Sequence, residues 1–129
     1  MELTSEHKCF IESLDSRLAY EALNADDAAE ICEHEFLRDP ERIIALNNEM
    51  RQLKARWTTD DLEPRPWPDD YLIIGDSGCG DYYCVSRTRA FPGIVAYEHE
   101  MAAFTPFAAS FDEYYELMMQ DFRKRIDRY

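Results

Sequence analysis

The sequence predicts an α+β fold in which a twisted antiparallel β-sheet is flanked by N-terminal helices and one C-terminal helix. Three observations support this prediction. Apolar residues recur at helical spacing through residues 1–60, short runs rich in β-branched and aromatic residues fill 71–107, and an amphipathic helix closes the chain at 110–128. A proline-rich connection, 61–70, separates the two patterns. Helices followed by consecutive strands are typical of α+β domains with an antiparallel sheet.

Each of the first two helices has a capping residue at its start. Thr4 or Ser5 can cap the first, which we expect to continue to Ala22. Asn24 can cap a short second helix, in which the negative charge of Asp27 suits the helix dipole. The chain is therefore expected to begin with two helices joined by a short turn.

The third helix has the strongest pattern. Asp39 is a good N-cap, and Pro40 suits the first helical position because its missing N–H needs no partner there. Apolar residues then follow at alternating steps of three and four, at Ile43, Leu46, Met50, Leu53 and Trp57. This spacing predicts one core-facing helix that continues to Trp57.

Four strands and a helix are predicted after the proline-rich connection. The strands are expected at 71–74, 82–85 and 94–97, with a fourth near 103–107. A glycine-rich loop, 75–81, joins the first two. Ser110 is the expected N-cap of the last helix, with Glu113 three residues later completing a capping box.

The composition limits the class of protein. A chain of 129 residues suits one domain, 1–129, and its 17 Trp, Tyr and Phe residues exclude a disordered acidic tail. Because 14 Lys and Arg stand against 27 Asp and Glu, the net charge is −13, which argues against binding nucleic acid. No signal peptide or membrane-spanning run is found, so we expect a cytoplasmic protein without membrane contact and with free cysteines, Cys9, Cys32, Cys79 and Cys84.

The glycine-rich loop contains a sequence that resembles a catalytic motif. Gly-Asp-Ser-Gly at 75–78 matches the surroundings of the nucleophile in chymotrypsin-like proteases, but those enzymes need two β-barrels and an upstream His and Asp. The loop also lacks the Gly-Lys-Ser/Thr ending of a phosphate-binding loop. We therefore predict a turn in which Asp76 and Asp81 cap the backbone or face solvent, with no catalytic residue and no cofactor.

Two Glu-His-Glu triplets, 33–35 and 98–100, raise the question of a metal site. Adjacent side chains on a helix diverge by about 100°, so the first triplet, which is predicted to be helical, cannot converge on one ion. On a strand, Glu98 and Glu100 share one face and His99 points to the other. The cysteine spacing does not match structural zinc either. We predict no metal, solvated charges at both triplets, and a hydrogen-bonded His99 at a strand end.

The block 66–85 resembles the central part of the SUKH superfamily, which includes fungal cell-wall-synthesis regulators and many bacterial immunity proteins. The resemblance rests on Ile-Gly-Asp at 74–76, Gly-Asp-Tyr at 80–82, a strand that ends in Glu-His-Glu at 98–100, and Ser-Phe-Asp-Glu-Tyr at 110–114. Together these cover residues 66–119 in the order and at the spacing of the family.

This sequence departs from the family pattern at three points. Glu98 replaces the usual Asp, and Ser86 stands where the family often has Asp. The usual N-terminal signature, a helix ending in Leu-Pro-x-x-Tyr, is not found in residues 1–60.

The resemblance implies an α+β binding protein that is not an enzyme. In bacteria, such domains are similar to antidotes that bind and block a toxin, often a nuclease or deaminase. Residues of the motif are expected to hold the fold, namely Gly75, Gly78, Gly80, His99 and Ser110. Candidate partner contacts are aromatic residues expected to be exposed and carboxylates near the loop: Trp67, Tyr82, Tyr83, Tyr97, Asp76, Asp81, Glu98 and Glu100.

Three functions remain open from the sequence. The first is an immunity protein whose acidic surface binds a basic, nuclease-type toxin. The alternative is an intracellular scaffold or regulator with several partners, in which the N-terminal half matters more because residues 1–64 carry a net charge of −9 against −4 for 65–129. The third, a small hydrolase, depends on Ser77 or on the Asp76 and Asp81 pair alone.

Overall fold

The computed structural model describes residues 3–52, 57–58, 64–65, 67–100 and 103–127. Its helices and strands are, in chain order, α1 Ser5–Tyr20, α2 Ala25–Ile31, α3 Pro40–Gln52, β1 Trp57–Thr58, β2 Pro64–Arg65, β3 Tyr71–Asp76, β4 Tyr82–Ser86, β5 Ile94–Glu98, β6 Ala103–Ala108 and α4 Phe111–Ile126. Strands β3 to β6 form an antiparallel sheet in the order of the chain, and β1 and β2 form a separate two-stranded sheet. The expected α+β fold is confirmed.

The predicted helix starts are confirmed because local hydrogen bonds determine them. The Thr4 hydroxyl accepts a hydrogen bond from the N–H of His7 at 3.2 Å, and the Asn24 side chain accepts one from the N–H of Asp27 at 2.8 Å. α3 begins at Pro40, directly after Asp39. These contacts satisfy N–H groups that a helix start otherwise leaves without partners.

The prediction that the third helix continues to Trp57 is wrong. α3 ends at Gln52, and Trp57 lies in β1, where it pairs with Arg65 in an antiparallel ladder. Leu53 lies outside the described residues. The apolar spacing favours a longer helix, but it contains no information about pairing with a segment later in the chain. The proline-rich connection thus contributes a short strand of its own, with Pro64 opposite Thr58.

The main core lies between one face of the sheet and the helices. Tyr114 of α4 and Phe36, from the turn after α2, are fully buried, and their ring centroids are 5.9 Å apart. Phe10 of α1 contacts Phe36 at 5.9 Å, while Tyr83 and Phe107 of the sheet contact Tyr114 at 5.6 and 6.1 Å. One aromatic cluster therefore joins α1, α4, the sheet and the turn after α2.

Both edges of the sheet are protected. At the β3 edge, the buried Asn47 of α3 accepts a hydrogen bond from the N–H of Ile73 at 2.7 Å and donates one to its carbonyl at 3.2 Å. The β6 edge carries the exposed Pro106, which lacks the N–H that another strand needs for pairing. Neither edge is an open template for a further strand.

Two further properties follow from the described residues. Within them, no helix is both long and apolar enough to cross a membrane. All four cysteines are free; Cys32 and Cys84 are buried, and burial raises the pKa of both thiols.

Candidate protein-binding site

The loop between β3 and β4, residues 75–81, is called the signature loop below. Its turn is closed by a hydrogen bond from the N–H of Ser77 to the carbonyl of Asp81 at 3.1 Å. The Ser77 hydroxyl accepts hydrogen bonds from the N–H groups of Cys79 and Asp81. Gly78 and Gly80 have φ angles of +78° and +99°, a backbone conformation that favours glycine. The predicted turn is confirmed, and its polar groups are used to build it.

Two histidine–aspartate pairs hold the two ends of the signature loop. His34 Nδ1 lies 2.8 Å from Asp76 Oδ1, and the N–H of Asp76 donates to the carbonyl of His34, also at 2.8 Å. At the other end, His99 Nδ1 lies 2.7 Å from Asp81 Oδ1, which also accepts the N–H of His99. The prediction of a hydrogen-bonded His99 is confirmed.

Gly75 allows the sheet to approach the helices closely. The Tyr114 hydroxyl donates a hydrogen bond of 2.5 Å to the carbonyl oxygen of Glu35. A Cβ atom on Gly75 would overlap both oxygen atoms of this bond. No side chain fits at position 75, and this steric requirement agrees with the structural role expected for Gly75.

The first Glu-His-Glu triplet lies in a turn, so the prediction that it is helical is wrong. The prediction of solvated charges holds for the exposed Glu33 but is wrong for Glu35. α2 ends at Ile31, and the following turn directs His34 to the signature loop while Glu35 enters the core. Glu35 is 1% exposed, and its Oε1 lies 2.6 Å from Arg125 Nη2. Its Oε2 has no hydrogen-bond partner among the described residues. Burial raises the pKa of Glu35, and the hydrogen bond from Arg125 opposes that rise.

Tyr83, one of the predicted aromatic partner contacts, lies near the carboxylates of the signature loop. It is partly buried, and its ring lies 4.8 Å from that of Phe107. Burial raises the pKa of Tyr83 to about 12, with the negative charges of Asp81 and Asp121 adding to the rise. The structure thus brings Tyr83 together with the carboxylates of the signature loop.

Trp67 and Tyr97 are not exposed, so that expectation is wrong. They are 2% and 4% exposed, and their ring centroids lie 5.4 Å apart. Consecutive residues on a strand point to opposite faces, so Tyr82 and Tyr83 lie on different sides of the sheet. Tyr82, which is partly buried, packs with Trp67 on the side away from Tyr83. The four aromatic candidates do not form one surface.

The second Glu-His-Glu triplet also differs from its prediction. β5 ends at Glu98, and Glu100 lies in the turn that follows, so the two do not share a strand face. Glu98 is partly exposed and Glu100 is exposed, and their contact with a partner stays a prediction.

The start of α4 follows the predicted cap. The Ser110 hydroxyl accepts a hydrogen bond from the N–H of Glu113, while the Glu113 carboxylate accepts one from the N–H of Ala109, both at 3.2 Å. Ser110 is therefore the N-cap of α4, and it fixes the point at which the chain passes from β6 into the helix.

Ser86, which stands where the family often has Asp, contacts the carboxylate of Asp70, a residue that no sequence motif pointed to. The Ser86 hydroxyl donates to Asp70 at 2.5 Å, and the other oxygen of Asp70 accepts the N–H of Thr88 at 2.8 Å. Burial acts to raise the pKa of Asp70, but these hydrogen bonds outweigh it and the pKa is lowered. Asp70 thus holds the β4–β5 connection to the start of β3.

In the part of the chain that the structure describes, no group of three His, Cys, Asp or Glu side chains is placed to hold a metal ion.

The fold and the signature loop define the class of this protein. It is an α+β domain in which His34, from the turn after α2, and His99, from the turn after β5, hold the loop between β3 and β4. The SMI1 / KNR4 family (SUKH-1) model matches residues 2–117, and the chain belongs to this family. The match includes the N-terminal helices, beyond the 66–119 of the resemblance. No curated protein and no solved structure matches the chain.

Proposed function

We propose that this chain is a non-catalytic immunity protein that binds one cognate toxin and blocks it. Family membership over residues 2–117 carries the proposal, because members of this family are generally immunity or regulatory proteins that bind protein partners. The protein acts in the cytoplasm, where its four thiols stay reduced and where an incoming toxin meets its target.

The charge of the chain supports a basic toxin of the nuclease type. A nuclease binds phosphate groups with clustered Lys and Arg, and a protein of net charge −13 is attracted to such a surface. Occupying that surface excludes the nucleic acid substrate. Long-range attraction also accelerates the encounter, so the association rate falls as salt screens the charges.

The contacts of the signature loop support a binding role over a hydrolytic one. The Ser77 hydroxyl accepts two backbone N–H groups, at 3.1 and 3.3 Å. Asp76 accepts the N–H of Gly78 at 2.8 Å and Asp81 accepts that of His99 at 2.9 Å, and each aspartate lies beside a histidine. These groups hold the loop in shape, whereas a nucleophile or a general base has to reach a substrate.

The test takes a candidate toxin domain from the genes that flank the gene for this chain. Mixed in equal amounts, the two proteins are expected to form a one-to-one complex in size-exclusion chromatography with light scattering, and the toxin loses its activity. The association rate should fall at least about tenfold between about 20 and 300 mM NaCl. A toxin that stays active, or no complex at low salt, would contradict the proposal.

The regulatory alternative predicts a different result. A scaffold would bind several unrelated proteins with moderate affinity and block none of them. Deleting the N-terminal residues 1–38 would not test this alternative, because the deletion removes buried core side chains, namely Phe10, Leu14, Leu18, Ile31 and Phe36. Single substitutions on the exposed surface are needed instead.

A further inference from the structure

A groove of about 310 Å³ lies beside the signature loop, between the sheet and α4. Its floor is apolar and is formed by Tyr83, Phe107, Leu117 and Met118. Two charged residues of α4, Asp121 and Lys124, stand exposed at its rim.

The floor of the groove is held in place by the core. The rings of Tyr83 and Phe107 are 4.8 Å apart with their planes inclined at 48°, and both pack on the fully buried Tyr114. Met118 is only 3% exposed. A ligand that enters this groove finds ring faces already ordered, so little conformational entropy is lost on binding.

Negative charge surrounds this apolar floor. The carboxylates near Tyr83 come from four different places in the fold: the two ends of the signature loop, the turn after α2 and α4, as Asp76, Asp81, Glu35 and Asp121. Glu35 is neutralised by Arg125, and Asp76 and Asp81 lie beside histidines. Asp121 takes part in none of the ion pairs of the described residues, although Lys124 lies on the same rim.

We propose that this groove receives an arginine side chain of the protein partner. Its guanidinium stacks on the ring faces of Tyr83 and Phe107 and donates to the carboxylate of Asp121, while its aliphatic stem packs on Leu117. Arginine suits this site better than lysine, because a planar guanidinium is weakly hydrated and stacks on aromatic rings. The inference rests on the proposed function, for it names the residue type by which the basic partner is bound.

The first test needs no toxin. The ¹⁵N-labelled chain is titrated with the blocked peptide acetyl-Gly-Arg-Gly-amide, and with the same peptide carrying citrulline, which has nearly the shape of arginine but no charge. Saturable chemical-shift changes are expected at the amides of Tyr83 and Phe107 and along 117–121, at least about fivefold weaker for citrulline. Equal responses to both peptides, or changes spread over α1 and α2, would overturn the inference.

Two variants distinguish binding of arginine at the groove from attraction to the negative charge of the chain as a whole. Asp121→Asn is expected to weaken binding of the arginine peptide at least about fivefold. Glu12→Gln removes the same charge from the exposed face of α1 and should leave binding within about twofold, since that exposed charge is largely screened at the groove. Equal effects of the two variants would contradict an arginine site at Asp121.

A second test uses the toxin complex. Asp121→Lys is expected to raise the dissociation constant at least about tenfold more than Glu12→Lys, because only the first places a cation at the groove. If both variants weaken the complex equally, the groove inference fails while the immunity function stands. If the wild-type chain forms no complex, the proposed function fails, and the peptide titration alone decides the groove.

Discussion

Gly75 shows how one residue links the sheet to two other parts of the fold. β3 passes beneath the hydrogen bond from Tyr114 of α4 to the carbonyl of Glu35, at a distance that leaves no room for a side chain. Gly78, three residues later, meets a different requirement: its φ is +78°, but a Cβ there has only ordinary contacts with His34. Two glycines of one loop are thus needed for different physical reasons.

Because the two glycines are needed for different reasons, replacing each by alanine should lower the free energy of unfolding by a different amount. Gly75→Ala is expected to lower the free energy of unfolding by about 3 kcal/mol, because the backbone carbonyl of Glu35 has to move. Gly78→Ala, the control within the same loop, should cost only about 1 kcal/mol, the strain of a left-handed backbone. Urea unfolding of both variants measures this. A larger loss for Gly78→Ala than for Gly75→Ala would contradict the steric argument.

His7 is a buried neutral imidazole. It is 0% exposed, stacks on Phe111 at 5.7 Å, and neither ring nitrogen has a hydrogen-bond partner among the described residues. Burial lowers the pKa of His7 to about 4. The unfolded chain, where the pKa is about 6.5, therefore binds this proton more tightly than the folded one.

The protein should lose stability as the pH falls from about 6.5 to about 4. The contribution of His7 to this loss is about 3 kcal/mol, because the unfolded state takes up the proton first. His7→Phe keeps an aromatic ring in the stack with Phe111 and removes the titration, so its unfolding free energy should depend less on pH in this range. Urea unfolding at several pH values tests this, and an unchanged slope in His7→Phe would refute it.

The contribution of Glu35 to stability should depend on pH in the opposite direction from that of His7. Burial raises its pKa above the ordinary value of 4.5, so the folded state holds the proton more tightly than the unfolded state. Its contribution to stability is complete below pH 4.5 and is lost as the pH rises through the raised value. Glu35→Gln cannot ionise and keeps an oxygen for Arg125, so its stability relative to wild type should increase with pH. A constant difference across this pH range would argue against the prediction.

At the scale of whole elements, Asn47 fixes α3 to the edge of the sheet. Asn47 is 0% exposed, and its amide makes both hydrogen bonds that Ile73 would otherwise make with a neighbouring strand. The same amide nitrogen donates to Ile43 within α3 at 2.9 Å. The helix thus occupies the place of a fifth strand at this edge.

Asn47→Ala is therefore expected to cost about 2–4 kcal/mol, because the N–H and the carbonyl of Ile73 lose their partner inside the protein. The amide of Ile73 should also exchange its hydrogen faster. Asn48→Ala, at the exposed next position of the same helix, is the control and should change stability by less than about 0.5 kcal/mol. Similar losses in the two variants would show that Asn47 does not hold the sheet edge.

Prediction of the elements succeeded where the signals are local. The caps at Thr4, Asn24 and Ser110 act within three residues, and the structure confirms all three. The apolar spacing predicts that α3 continues to Trp57, whereas the helix ends at Gln52. The spacing does not reveal that Trp57 pairs with Arg65 in a strand. The turn that carries His34 was likewise assigned to a helix.

For the whole molecule, the net charge of −13 acts on stability as well as on binding. Like charges repel each other across a compact fold, and most of the ion pairs in the described residues have at least one exposed partner and so contribute little. The urea midpoint at pH 7 should therefore rise as NaCl increases from about 10 to 300 mM. A fall over this range would mean that attractive ion pairs outweigh the repulsion.

The sequence by itself determined the fold class, the four helices and the four strands of the main sheet, the helix caps and the family resemblance. These depend on periodicity and on contacts between residues close in the chain. Only the tertiary structure decided which side chains meet: His34 with Asp76, 42 residues apart, Tyr114 with Glu35, 79 apart, and Arg125 with Glu35, 90 apart. It also buried Trp67 and Tyr97, because which face of a sheet is covered depends on segments that no local pattern identifies.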